Sequence, residues 1–80
     1  MTDKQIHVIE DLAKQSYELE GQGGLVHTSG HEALTSWRRE AAQCADHDLV
    51  ELLDGLDVAG WQEACVVYEH KYSALKYAHG

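Results

Sequence analysis

Apolar residues return every three or four positions along most of this chain, which is the period of helices with one buried face. The spacing predicts a first helix over residues 3–20. Ile6, Ile9, Ala13, Ser16 and Tyr17 recur on one side, widened by Leu12 and Leu19. Thr2 and Gln5 form a capping-box pair at its start. Gly21 is placed to stop it, as glycine does in the left-handed position after a helix. Residues 22–30 read as a loop, with Gly21, Gly23, Gly24 and Gly30 close together. Leu25, Val26 and His27 are too few, and too lacking in a pairing partner, to start a sheet.

Ser29 and Glu32 form a second capping box and open a second helix. It turns Leu34, Trp37, Ala41 and Cys44 inward, with Ala33 and Ala45 on the flanks and Arg38, Arg39, Glu40 and Gln43 toward water. A break or kink is expected at Asp46-His47-Asp48, with Asp48 and Glu51 as a third capping pair. A short helix then carries Leu49, Leu52, Leu53 and Leu56 on one face and ends at Gly55. Asp57 is a good N-cap for a last helix over residues 57–77. Val58, Trp61, Cys65, Tyr68, Tyr72 and Leu75 make its stripe, the longest in the chain. With no proline to interrupt them, these pieces predict an all-α fold: a small antiparallel bundle of three main helices plus one short one.

At 80 residues the chain has room for one domain, spanning residues 1–80, with a modest core. Self-association is one remedy for such a small core, and the long stripe of the last helix suits a homodimer. The net charge of −8 narrows the partners further. Duplex and single-strand binders release counterions from nucleic acid through a basic surface, so direct nucleic-acid binding is not expected. Anionic membranes are disfavoured for the same reason, and no apolar run approaches the ~20 residues of a membrane span. A basic protein surface is favoured, because opposite fields steer encounter. The first nine residues lack a signal-peptide core, and two cysteines are too few for a disulfide scaffold. The expected setting is the cytoplasm, with Cys44 and Cys65 reduced.

Six histidines are unusual in so short a chain. His27, His31, Cys44 and His47 resemble a zinc-finger spacing read backwards. A continuous second helix would separate His31 from Cys44 by roughly 20 Å, however, at ~1.5 Å rise per residue. Metal ligands must each come within ~2.0–2.3 Å of the ion. The metal candidate reduces to His27 and His31, completed by an acid such as Glu32 or by a neighbouring subunit. A di-iron or di-manganese carboxylate bundle needs glutamate three residues before histidine, and the sequence has no such pair. Cys44 and Cys65 both fall on apolar stripes, where a thiol is a small buried hydrophobe rather than a nucleophile. The glycines at 21, 23 and 24 lack the preceding strand and following lysine of a phosphate loop. A helix-turn-helix reading fails on sign, because the would-be recognition helix carries more acid than base. These exclusions predict a protein that is not an enzyme and has no cofactor.

Two features favour binding. Asp46, Asp48, Glu51, Asp54 and Asp57 form an acidic run that could meet an arginine patch or mimic a row of phosphates. Tyr77 stands off the apolar stripe of the last helix, and tyrosine is enriched at interface hot spots. The expected function is therefore a small protein-binding module, a regulator or inhibitor of a host protein or nucleic-acid-handling complex in the manner of a phage or mobile-element product. The alternative is a histidine-rich metal-binding or metal-sensing protein.

Overall fold

The computed structural model describes residues 1–24 and 29–78. It is all-α, as the periodicity requires, and among the described residues there are four helices: α1 (Asp3–Gly21), α2 (Gly30–Gln43), α3 (His47–Asp54) and α4 (Val58–Ala78).

The N-terminal signals act much as the sequence suggests. Thr2 Oγ1 accepts from the Gln5 amide while Gln5 Oε1 accepts from the Thr2 amide, so the capping box is reciprocal. Ser29 Oγ accepts from the Glu32 amide, and Asp57 Oδ1 accepts from the Gly60 amide. At α3 the cap is Asp46 rather than Asp48. Its Oδ1 accepts from the Leu49 amide, because the chain has already left α2 by Cys44.

Helix ends differ more from expectation. Gly21 is still helical, and the left-handed residue is Gly23, at φ 86°. The Gly24 amide donates to Leu19 O and the Gly23 amide to Glu20 O, the paired bonds of a Schellman motif. The end of α2 repeats the device without glycine. Ala45 takes φ 57°, and the Asp46 amide donates to Ala41 O.

Ile9, Leu12 and Ala13 of α1, Ala33 and Leu34 of α2, Leu53 of α3, and Ala64 and Tyr68 of α4 form the core. α1 packs chiefly on α4, whereas α2 packs on both α3 and α4. The Met1 ammonium meets Glu63 at 3.2 Å, and farther along α1 the Tyr17 ring meets the Tyr72 ring edge-on. These contacts follow the same order on both helices, so α1 and α4 run in the same general sense and an antiparallel arrangement does not describe this pair.

Trp61, Cys65, Tyr68 and Tyr72 of the expected α4 stripe lie in or against the core, but two positions on the helix differ from expectation. Ala64 is fully buried while Val58 is 77% exposed. Small residues let helix axes approach closely, and Ala64 together with fully buried Ala13 gives α1 and α4 that option. Leu19 is 46% exposed at the last turn of α1. Cys44 is exposed as well, because α2 stops at Gln43 and the chain turns away before the thiol can reach the core.

Two polar contacts join the helices at depth. Buried Ser16 accepts from Trp37 Nε1 at 2.9 Å and from the Tyr68 hydroxyl, tying α1, α2 and α4 at one oxygen. The Gly30 amide donates to Glu69 Oε1 at 2.7 Å, so a carboxylate from α4 caps the first turn of α2.

Candidate functional site: a carboxylate-rimmed groove between α1 and α3

α1 and α3 barely touch, and the space between them is an open groove of about 830 Å³. Each wall is one face of a helix. Lys4, Val8, Asp11 and Gln15 lie a helical turn apart along α1, with Gln5 and Leu12 beside them. Asp48, Leu49, Glu51 and Leu52 face them from α3, with the capping residue Asp46 at its mouth.

Charge and apolarity are segregated across this surface. Val8, Leu12, Leu49 and Leu52 supply apolar wall and floor. Leu12 is buried, whereas Val8, Leu49 and Leu52 are half-buried and remain available to a ligand. Asp11, Asp46, Asp48 and Glu51 set four carboxylates around them against one ammonium, that of Lys4. Asp46 is held in place by its own capping bond to the Leu49 amide. Comparison with known protein families, curated proteins and solved structures finds no match.

The acidic run of the sequence is divided by the fold. Asp46, Asp48 and Glu51 reach the groove. Asp54 turns to α2, where both its oxygens accept from the Arg38 guanidinium, at 3.0 and 3.1 Å. That hydrogen-bonded pairing holds the Asp54 carboxyl below the usual aspartate range and raises Arg38. Asp57 caps α4 and lies beside a different, apolar depression lined by His31, Leu56, Val58, Trp61 and Cys65. Tyr77 is 78% exposed at the far end of α4, where it lines a different depression with Ser73 and Lys76.

Sequence reasoning missed the α1 wall. Residues 4, 8, 11 and 15 carry a helical period, but a lone valine among polar residues looks like an ordinary wet face. Only the placement of α3 opposite makes that face half of a groove.

The metal candidate, His27 with His31, is only half within view. His27 lies outside the described residues. His31 Nδ1 accepts from Trp61 Nε1 at 2.8 Å, with the two rings edge to face, so that nitrogen is engaged. Among the described residues no group of three or more histidines, cysteines or acids could hold an ion. Burial pushes the Cys65 thiol up, helped by nearby Glu69, and pushes the Tyr68 phenol up despite its hydrogen bond to Ser16. Both shifts favour the neutral form, the opposite of what activates a nucleophile. Among the described residues no helix is long and apolar enough to cross a membrane.

Proposed function

We propose that this protein is a non-enzymatic binding module that takes a basic, amphipathic helical segment of a partner protein into the α1–α3 groove. The observation that carries the reading is the apolar floor of Val8, Leu12, Leu49 and Leu52 under a rim of four carboxylates. A helix with leucines on one face and arginines or lysines beside them meets both features at once. The net charge of −8 adds long-range attraction for such a partner. The module acts as a regulator or inhibitor by covering a basic surface that its partner otherwise uses, including surfaces that handle nucleic acid.

Fluorescence anisotropy with a synthetic amphipathic helix, leucine on one face and arginine on the other, tests this. Binding is expected, weakening as salt rises. The double variant Asp48→Lys/Glu51→Lys loses about tenfold or more in affinity, while the same charge change at exposed Asp3 and Glu18, off the groove, costs far less. Equal loss from both double variants reduces the effect to bulk charge and overturns the groove; absence of binding overturns it outright.

A further inference from the structure

Along α1, the groove wall carries an ammonium, an apolar side chain and a carboxylate at successive turns: Lys4, Val8 and Asp11. Seven positions separate Lys4 from Asp11, so the two stand on nearly one line of the helix, ~10 Å apart along its axis. Both are exposed, and Val8 between them is half-buried.

The fold leaves both charges unpaired. The ion pairs of Met1 with Glu63, His7 with Glu10 and Arg38 with Asp54 lie outside the groove, and neither Lys4 nor Asp11 takes part in one. Among the described residues that line the groove Lys4 is the only cation, beside Asp11, Asp46, Asp48 and Glu51. A ligand made only of leucines and bases suits the carboxylates but sets a like charge against Lys4. Such a contact lets a surface reject one arrangement of an otherwise suitable ligand.

Given a groove that takes a basic amphipathic helix, the premise on which this rests, we infer that Lys4 selects the partner's charge order: a carboxylate, an apolar residue and a base at successive turns of one helical face. The carboxylate meets Lys4, the apolar residue meets Val8 and the base meets Asp11, while further bases meet the α3 acids. The spacing follows from α1 itself, because a helix laid along it at a shallow crossing angle repeats the same ~5.4 Å turn. Such a partner lies one way round in the groove. The reverse orientation sets its base on Lys4 and its acid on Asp11. Lys4 therefore weakens the overall attraction for bases and supplies direction in exchange.

Fluorescence anisotropy on the whole chain, with two labelled peptides of one composition, provides the test. Both are leucine–arginine amphipathic helices carrying a single glutamate. In the first, the glutamate stands seven positions from an arginine, with a leucine between them on the same face. In the second, the glutamate is moved by two positions, about 200° around the helix. The first should bind about threefold or more tighter. Lys4→Glu should weaken the first peptide by about threefold or more, although it makes the chain more acidic and suits the first turn of a helix. Lys14→Glu, the same change at an exposed position of α1 off the groove, should not weaken it. Replacing the peptide's glutamate by arginine should reverse the effect, so that the Lys4→Glu variant binds the tighter of the two proteins. Equal binding of the two peptides, or tighter binding of the first peptide by Lys4→Glu, overturns the charge order and leaves a groove that binds basic helices without regard to direction. If neither peptide binds, and no leucine–arginine helix does, the groove itself is overturned and the charge order with it.

Discussion

Trp37 Nε1 donates to Ser16 Oγ at 2.9 Å, and the same oxygen takes the Tyr68 hydroxyl, so one buried serine satisfies two aromatic donors from two other helices. Ser16→Ala removes the acceptor and keeps both donors inside. Leaving a buried donor unpaired costs ~1–3 kcal/mol, so this variant should lose about 2–4 kcal/mol in urea unfolding. The triple variant Ser16→Ala/Trp37→Phe/Tyr68→Phe should lose less than its single changes summed, because it leaves no orphaned donor.

Gly30 sits where α2 crosses α4. A methyl group there would lie 2.7 Å from the Cys65 carbonyl oxygen, and backbone cannot swing aside as a flexible side chain can. Gly30→Ala should cost about 1–3 kcal/mol by thermal or urea unfolding, although alanine is the better helix former in isolation. Glu69→Gln, which keeps an acceptor but removes the charge at the start of α2, should cost less, about 0.3–1 kcal/mol.

Ala45 occupies the left-handed region that an L side chain reaches only at a cost of ~1–2 kcal/mol. Glycine there relieves that strain but adds freedom to the unfolded chain, worth ~0.4–1 kcal/mol in the other direction. Ala45→Gly should therefore stabilise the protein by about 0.5–1 kcal/mol, seen as a higher urea midpoint at unchanged slope.

Tyr68 titrates higher in the folded chain than in the unfolded one, chiefly because it is buried. Its contribution to stability is whole below the ordinary phenol value of ~10 and is lost as pH rises through the raised folded value. Stability measured by urea unfolding should fall above about pH 10. The fall should be shallower in Tyr68→Phe.

Helix starts were largely legible in the sequence, and helix ends were not. A cap such as Thr2, Ser29 or Asp57 acts through bonds to amides two or three residues on, so local sequence carries the signal. Where α1 stops depends on which of several adjacent glycines turns left-handed, and that is settled only at Gly23. Ala45 shows the converse, a left-handed turn with no glycine to announce it. Most of the α4 stripe was legible, since Tyr68 is buried and Trp61, Cys65 and Tyr72 pack against the core, but periodicity passed over the small buried Ala64 and counted Val58, which faces outward. Of the acidic run, Asp46, Asp48 and Glu51 share the groove, whereas Arg38 draws Asp54 to α2 and capping takes Asp57 to α4. Sequence proximity could not separate those three fates, since each is decided by the partner that the fold supplies.

The carboxylate at the head of α2 comes from 39 positions later in the chain. During synthesis the second helix therefore emerges well before the group that completes its first turn, and it waits for the fourth helix to arrive. Closing so long a loop is what slows folding in small domains. In a chain halted before residue 69 the Gly30 amide lacks that partner, and its protection from hydrogen exchange should appear only as α4 docks.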